Sequence, residues 1–306
     1  MNVSPKVIAG LILAGAAATI GINLGHYRAR KNVATGGFRG ERAFDDLRQF
    51  VGLGPRPPGS QALQRAREYI AHQLSAAGAE IWDDSFVATT PIGDIPMTNV
   101  IGEFHGTTPT VIVLAGHYDT ARLDGVRFVG ANDGGSSAAF LLEMARVLSG
   151  RKNKFTYWLV FFDGEEALKQ WSATDSLYGS RHLAARLSDQ GRLRQIKALI
   201  LVDMIGDRHL NVLRESNSTG WLADRVFKSA RQLGYERLFS AGTFPVEDDH
   251  LPFVKRGVPA VDIIDLTPFG SYHHTAQDTI DKCSPASLTV VGRVVLATLA
   301  ELERTG

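Results

Sequence analysis

The chain has 306 residues, of which 44% are hydrophobic and 21% are charged, and its formal net charge is +1. This length allows one large domain with a single core, and the nearly balanced charge gives no electrostatic reason to expect a nucleic-acid partner. The single cysteine, Cys283, excludes an intrachain disulfide and any metal site built from several cysteines.

The amino terminus carries an apolar segment. Residues 7–22 are almost wholly apolar, follow Lys6 and are rich in alanine and glycine. A helix of this length spans about 24 Å, which is short of the roughly 30 Å hydrocarbon core of a bilayer. We therefore predict a signal peptide or membrane anchor over residues 1–24, and an exported protein that is periplasmic, extracellular or tethered to the membrane. Glycines and charges over residues 25–40 predict a linker to a globular domain over residues 41–306.

Two helices and two strands are predicted at the start of this domain. Phe44, Leu47 and Val51 have helical spacing, and the proline-rich stretch at residues 55–59 ends that helix. Ser60 is well placed to cap a second helix, which Gly78 ends. Residues 79–88 and 97–104 are predicted strands on either side of a turn at residues 91–94.

From residue 110 onwards the pattern alternates between strands and helices. The strands are near-continuous apolar runs, as buried parallel strands require, at residues 110–118, 155–163, 197–204 and 259–264. Helical segments lie between or after them, at residues 136–148, 176–187, 220–233 and 284–302. This alternation predicts an α/β fold with one globular domain, in which helices cover both faces of a mostly parallel central sheet.

Potential metal ligands follow several of these strands. His117 and Asp119 end the first strand, Glu165 and Glu166 follow the second, and Asp203 ends the third. Burying several charges at strand ends is costly unless a positive charge compensates them, and mixed sets of histidine and carboxylate ligands suit zinc. Asp133 and His274 are further candidates, because ligands of open α/β sheets bind beyond the carboxyl ends of the strands. The pattern indicates a zinc enzyme.

The chain resembles the zinc-dependent aminopeptidases in short motifs that occur in the same order: GHYD at 116–119, GAND at 130–133, DGEE at 163–166, DM at 203–204 and HT at 274–275. Longer motifs resemble one branch of that superfamily, the animal-type glutaminyl-peptide cyclotransferases or glutaminyl cyclases. They are FFDGEEA at 161–167, DSLYGSRHLAA at 175–185 and DDHLPF at 248–253. The resemblance covers about residues 41–302 and implies a zinc exopeptidase-like fold.

The resemblance also implies roles for individual residues. Asp133, Glu166 and His274 correspond to the ligands of a single zinc ion, and Glu165 corresponds to the general acid and base. Asp203 and Asp248 would form an acidic network beside Glu165, in which crowded carboxylates raise one another's pKa. The implied reaction converts the amino-terminal glutamine of a peptide or protein to pyroglutamate and releases ammonia.

The substrate pocket and the number of metal ions leave alternatives open. Trp171 corresponds to a pocket wall, and His273 stands where animal cyclases carry a tryptophan that lines the pocket. His117 and Asp203 correspond to ligands of a second zinc in the aminopeptidases, so a two-zinc aminopeptidase that hydrolyses amino-terminal residues is the alternative. A membrane-tethered binding protein that has lost activity is a third hypothesis. We expect a monomer.

Overall fold

The computed structural model describes residues 37–305, and helices precede strands at its start. Helix α1 spans Gly40–Leu53 and α2 spans Gln61–Ala76, followed by strands β1 at Glu80–Thr90 and β2 at Gly93–Phe104. The Ser60 hydroxyl accepts a hydrogen bond from the Leu63 backbone N–H at 3.1 Å, as expected of a helix cap. The predicted leader at residues 1–24 and all but the end of the predicted linker lie outside the described residues.

The rest of the domain contains every strand and helix predicted from residue 110 onwards, together with two strands and a short α-helix that were not predicted and three short 3₁₀-helices. The predicted elements are β3 (Val111–His117), α3 (Gly135–Leu148), β4 (Thr156–Phe162), α4 (Tyr178–Asp189), β5 (Ile196–Asp203), α5 (Gly220–Gln232), β8 (Ala260–Ile264) and α7 (Pro285–Thr305). The additional elements are β6 (Val212–Glu215), β7 (Phe239–Phe244) and α6 (Leu251–Val254). The structure therefore confirms the predicted α/β fold.

The central sheet has six strands in the order β1-β2-β4-β3-β5-β8. Strands β4, β3, β5 and β8 are parallel to one another, whereas β2 pairs antiparallel with both β1 and β4. The sheet is thus mixed, and the four predicted parallel strands form one side of it, with β8 at the edge. Strands β6 and β7 form a separate two-stranded parallel sheet.

Two apolar layers cover the two faces of the central sheet. Alternate residues of β3 point to opposite faces, as the period of a strand requires. Ile112 and Leu114 belong to a core that includes residues of α1, α2, α3, α5 and α7. Val113 and Ala115 belong to a second core, with residues of α4 and α6. Both faces are therefore buried, which explains why the central strands are continuous apolar runs.

Helix α7 is an interior helix of this fold. Within the described residues it alone is long and apolar enough to cross a membrane, but 61% of its apolar window is buried inside the domain. Val291, Val294 and Val295 are fully buried in the larger core. Its hydrophobicity is explained by packing against α1 and α5, which are its neighbours.

Candidate metal centre

The predicted ligands lie at the carboxyl edge of the parallel strands. His117 and Asp203 are the last residues of β3 and β5, and Glu165 and Glu166 follow β4. The connection from β3 leads to β4 on one side of it, whereas the connection from β4 crosses over β3 to reach β5 on the other side. The strand order therefore reverses direction at β3. In open α/β sheets such a switch point opens a crevice in which ligands bind.

Three predicted ligands from distant parts of the chain meet at this edge. The His274 Nε2 atom lies 3.3 Å from Asp133 Oδ2 and 3.1 Å from Glu166 Oε1. Asp133 and Glu166 are almost fully buried, whereas His274 is partly exposed. The structure therefore brings two carboxylates and an imidazole nitrogen together at the mouth of a buried site.

The loop that carries Asp133 is held by a second aspartate. Asp278 accepts hydrogen bonds from the backbone N–H groups of Asn132 and Asp133 at 2.8 and 3.1 Å. Gly134 follows with a φ of 74°, and a Cβ atom there would lie 2.3 Å from the Asp119 carbonyl oxygen and 3.0 Å from the His117 ring. Only glycine fits this turn, which explains a glycine directly after the predicted ligand.

A second group of possible ligands shares Asp133. The His117 Nε2 atom lies 3.2 Å from Asp133 Oδ1 and 3.2 Å from Asp203 Oδ1. These three residues, like the group of Asp133, His273 and His274, have ligand atoms within 4.8 Å of one another. The two positions implied by a two-metal enzyme are therefore adjacent and joined by one carboxylate.

Asp119 connects the first strand to the adjacent pair of glutamates. Its carboxylate accepts hydrogen bonds from the backbone N–H groups of Glu165 and Glu166, each at 3.3 Å, and lies 3.4 Å from His117 Nδ1. The Glu166 side chain in turn accepts a hydrogen bond from the Ala121 N–H at 3.1 Å. Asp119 is therefore well placed to fix both the histidine ring and the loop after β4.

The electrostatics of the three meeting side chains favour a positive charge. Burial lowers the pKa of His274, but hydrogen bonds with Asp133 and Glu166 outweigh burial and raise it to about 10. Burial raises the pKa of Asp133, yet His117 and His274 bring it well below its usual range. Burial and the Asp133 carboxylate raise the pKa of Glu166 to about 7. The carboxylates thus create a negative potential where Nε2 of His274 lies.

The pKa values of Glu165 and Asp248 are raised, in contrast to that of Asp133. Among the described residues, no cationic side chain lies in hydrogen-bond contact with either carboxylate. Burial raises the pKa of Glu165 well above its usual value, with further contributions from the neighbouring Glu166 and Asp248. Burial and Asp203 raise the pKa of Asp248 to about 7. A carboxylate with a raised pKa is a stronger base than ordinary glutamate or aspartate, which suits proton transfer near neutral pH.

The donor set at His274 fits a divalent metal such as zinc. It offers one imidazole nitrogen and two carboxylates, a combination found in catalytic zinc sites. Asp133 Oδ2 is buried and has no hydrogen-bond partner of suitable geometry in the described part of the chain, although it lies close to His274. A buried carboxylate oxygen of this kind needs either a proton or a cation.

The candidate ligands open into a cavity of about 670 Å³. Glu165, Asp203, Asp248, Trp171 and His273 line the same cavity, so the structure brings every predicted site residue except His117 to its surface. Trp171 is fixed at the rim, where its Nε1 donates a hydrogen bond to Glu247 at 3.3 Å. The cavity also has an apolar lining that was not predicted, and this lining includes Leu213, Phe244, Val246, Leu266 and Phe269.

Backbone strain is concentrated around this cavity. Among residues 37–305, three residues other than glycine have a left-handed φ, and they are Leu177, Met204 and His274. Met204 and His274 line the cavity, and the Leu177 N–H donates to the Glu165 carbonyl oxygen at 2.8 Å. Conformations of this kind cost free energy and persist where the surrounding structure imposes them, commonly at functional sites.

A buried contact between His250 and Glu215 predicts a pH-dependent stability. The His250 Nε2 and Glu215 Oε2 atoms are 3.1 Å apart, and both side chains are fully buried. Burial raises the pKa of Glu215, but the hydrogen bonds from His250 and from the N–H groups of Asn217 and Val246 outweigh it and bring the pKa to about 2. Glu215 thus connects His250 to the loop before Asp248, because it also accepts a hydrogen bond from the Val246 N–H at 3.0 Å.

We expect Glu215→Gln to lower the free energy of unfolding by roughly 3 kcal/mol at neutral pH. Because the folded-state pKa lies below the unfolded value, the ionised glutamate stabilises the fold above about pH 4.5. That contribution is lost as the pH falls from about 4.5 through 2. Denaturant unfolding of both proteins across this range should show the difference shrinking, whereas Glu236→Gln, at an exposed position, should show none. A difference that does not change with pH would contradict the assignment.

Comparisons with known proteins agree with the geometry. Residues 99–299 match the family model described as peptidase family M28. A glutaminyl-peptide cyclotransferase-like protein of Bos taurus is 34% identical over 275 residues, which cover 80% of this chain and 72% of the relative. The structure of a glutaminyl cyclase from an Acidobacteriales bacterium is 43% identical with a TM-score of 0.85, over 91% of this chain and 99% of that one. A Zn-dependent exopeptidase from Parabacteroides distasonis is 25% identical with a TM-score of 0.80, over 87% and 99%.

Proposed function

The chain belongs to peptidase family M28 and, within it, to the glutaminyl-peptide cyclotransferases, and we propose from this membership that it converts amino-terminal glutamine to pyroglutamate with release of ammonia. The observation that carries the proposal is the convergence of Asp133, Glu166 and His274 beside Glu165 in one cavity. The substrates are peptides or proteins with a glutamine at the amino terminus.

Asp133, Glu166 and His274 would hold one zinc ion in this proposal. Their support is the contact of His274 Nε2 with both carboxylates and the burial of Asp133 Oδ2, which forms no hydrogen bond of suitable geometry within residues 37–305. When bound, zinc supplies Lewis-acid polarisation of the γ-carboxamide oxygen of the substrate glutamine. His117 and Asp203 would complete a second site with Asp133 only if two ions bind.

Glu165 is the proposed general acid and base. Its carboxylate takes a proton from the α-amine of the substrate, and the amine nitrogen then attacks the γ-carboxamide carbon. A carbon–nitrogen bond forms and closes a five-membered lactam, while the bond to the amide nitrogen breaks. Glu165 returns the proton to this nitrogen, which leaves as ammonia. The raised pKa of Glu165 makes its carboxylate basic enough for the first transfer.

The remaining cavity residues position the substrate in this proposal. The attack is intramolecular, so holding the glutamine folded brings amine and carboxamide together and supplies much of the rate by proximity. Trp171 is held by Glu247 at the rim and can cover the glutamine side chain from one side. His273 faces Asp133 from the other side, with its Nε2 at 3.5 Å from Oδ2. Besides burial, the negative charge of Asp248 helps to raise the pKa of Glu165, and Asp203 in turn helps to raise the pKa of Asp248.

A direct assay separates this function from the aminopeptidase alternative. We expect the zinc-loaded enzyme to release ammonia from an amino-terminal glutamine peptide and to leave a product lighter by one ammonia, measured by mass spectrometry. A leucine anilide should not be hydrolysed above background, because no role in the proposal requires an activated water. Hydrolysis of the anilide without cyclisation of the glutamine peptide would instead establish a two-zinc aminopeptidase. Asp175 should not be replaced as a control in this assay. Its carboxylate accepts hydrogen bonds from the backbone N–H groups of residues 168–170, so its loss would disturb the loop that carries Trp171.

The proposal extends to location and assembly. Residues 1–24 would serve as a leader or anchor that exports the enzyme, residues 25–40 would link it to the catalytic domain at 41–306, and the support is the apolar composition of residues 7–22. Every residue of the proposed site comes from one chain, which is compatible with a monomer.

A further inference from the structure

Arg56 places a positive charge inside the domain. It lies in the loop between α1 and α2, and it is 0% exposed, which is rare for arginine. Within residues 37–305 its guanidinium donates five hydrogen bonds of 2.7–3.3 Å, and every acceptor is a backbone carbonyl oxygen. Burying a charge without a carboxylate in hydrogen-bond contact is costly. The cost must therefore be offset by what this side chain does for the backbone around it.

The five carbonyl groups belong to three separate segments of the chain. They are those of Phe50, Gly54, Tyr118, Val129 and Gly130. The first two lie at the end of α1, the third follows β3, and the last two begin the loop that leads to α3. A guanidinium presents its donors in a rigid planar fork, so it fixes the positions of several acceptors relative to one another. Arg56 therefore ties the three segments together.

The loop after β3 is held by both the side chain and the backbone of Arg56. The Nε atom donates to the Tyr118 carbonyl oxygen at 3.2 Å. The Arg56 N–H donates to the Thr120 hydroxyl at 2.9 Å, and the Arg56 carbonyl oxygen accepts from the Thr120 N–H at 3.2 Å. Asp119 lies between these two points of attachment, and its carboxylate is 3.4 Å from His117 Nδ1. The placement of Asp119 thus depends on Arg56.

The loop that carries Asp133 is held by Arg56 at its beginning. The Nη1 and Nη2 atoms donate to the carbonyl oxygens of Val129 and Gly130 at 2.7 and 3.2 Å. The Gly130 carbonyl oxygen also accepts from the Gly135 N–H at 3.2 Å, which closes the turn that contains Asp133. Arg56 therefore joins the turn of a proposed metal ligand to the loop after β3.

The charge of Arg56 also acts on the carboxylates of these loops. Burial lowers the pKa of Arg56 to about 10, although Asp119, Asp278 and Asp133 act in the opposite direction. The guanidinium is therefore positively charged at neutral pH. It offsets part of the negative charge that the buried carboxylates bring together. Because its hydrogen bonds go to carbonyl groups, it does so without occupying the carboxylate oxygens that a metal would use.

We propose that Arg56 is a positioning residue of the metal centre, which sets the placement of Asp133 relative to the loop after β3 and thereby the affinity and ligand geometry for zinc. The inference rests on the metal centre of the proposed function and extends it to a residue that does not line the cavity. A residue that only stabilised the fold would leave the metal site of the folded protein unchanged. The two roles therefore predict different metal binding.

The test is Arg56→Lys in the full chain. Lysine keeps the positive charge, but its single ammonium group has three donors and cannot reach all three segments at once. We expect zinc affinity, measured by competition with a chromophoric chelator well below the melting temperature, to fall by about 10- to 100-fold, the usual loss for groups that support metal ligands. The visible absorption spectrum of the cobalt-substituted protein should also change, because it reports the coordination geometry.

The matched control is Arg146→Lys. Arg146 of α3 also joins separate segments, through Asp46 of α1 and Gln73 of α2, but none of these residues lines the cavity. Its replacement should lower the melting temperature and leave zinc affinity and the cobalt spectrum unchanged. If Arg56→Lys does not fold, Thr120→Val replaces it in the test. This change removes the hydroxyl that accepts from the Arg56 N–H, and it should weaken zinc binding by several-fold.

A folded Arg56→Lys protein with the zinc affinity and cobalt spectrum of the parent would overturn the positioning role. Parental zinc affinity in Thr120→Val would overturn it where Arg56→Lys does not fold. A parent protein that binds no zinc would instead overturn the metal centre on which the inference rests. A parent that binds zinc but releases no ammonia from glutamine peptides would overturn the cyclase function and leave the role of Arg56 standing.

Discussion

Replacing Glu165 by glutamine is expected to lower kcat by about 100- to 10,000-fold and to leave the metal bound. Glutamine keeps the size of the side chain but cannot accept the proton of the α-amine, so the attack loses its base. The Glu165 backbone N–H still donates to Asp119, and that contact does not depend on the side chain. The measurements are steady-state ammonia release and metal content of the purified variant.

Glu166→Gln provides the matched comparison, because it makes the same chemical change one residue along the chain. Glu166 contacts His274 at 3.1 Å, so its loss should reduce metal content as well as turnover. Metal content therefore distinguishes the two roles, which activity alone does not: Glu165→Gln should keep the metal, and Glu166→Gln should lose part of it. Turnover by Glu165→Gln at near the parent rate would show that another group is the base, and Asp248 would be the next residue to test.

The second large effect concerns the metal itself. His274→Ala is expected to weaken zinc binding by at least about 100-fold, because within residues 37–305 it removes the one nitrogen that contacts both Asp133 and Glu166. Losses of about 10- to 100-fold are usual for groups that merely support ligands, so a direct ligand should cost at least as much. Competition against a chromophoric chelator measures the affinity. The zinc-dependent rise in melting temperature, which follows from binding to the folded state, gives an independent readout.

His273→Ala is the control for this experiment, because the two histidines are adjacent and stacked. His273 Nε2 lies 3.5 Å from Asp133 Oδ2, farther than His274 Nε2, and it is His274 that forms the ion pair with Glu166, so we expect the loss of His273 to change zinc affinity only a few-fold. Its main effect should be a higher KM, since the ring faces the cavity between Phe269 and His274. A larger loss of zinc affinity from His273→Ala than from His274→Ala would reverse the ligand assignment.

Much of the fold was predictable because its signals are local. Apolar periodicity, the Ser60 cap and the glycine and proline punctuation depend on residues near one another in sequence, and each of the long elements was found within a few residues of its bounds. The short strands β6 and β7 were missed. They pair in parallel across α5, and β7 contains serine and glycine with most of its residues exposed, so neither has the alternation that identifies a strand.

The wall of the cavity could not be predicted for the same reason. Phe269 lies four residues from His273, and Glu247 is next to Asp248. Because His273 and Asp248 were predicted as site residues, their closeness in sequence could have indicated Phe269 and Glu247 as well. Phe244 is likewise four residues from Asp248, whereas Leu213 has no such neighbour. Their role depends on the folding of the β6–β7 sheet against the edge of the main sheet near β8, which contacts β6.

The sequence by itself determined the fold class, the order of the elements and the residue types that can bind zinc and move a proton. These properties follow from the spacing of hydrophobic residues and from the carboxylates at strand ends, both of which depend only on the order of residues. The tertiary structure decided which of these residues meet: Asp133 and His274, 141 positions apart, lie 3.3 Å from each other only because the sheet brings its loops to one edge. The tertiary structure also decided which apolar side chains line the cavity beside these residues, since exposure and distance are properties of the folded chain.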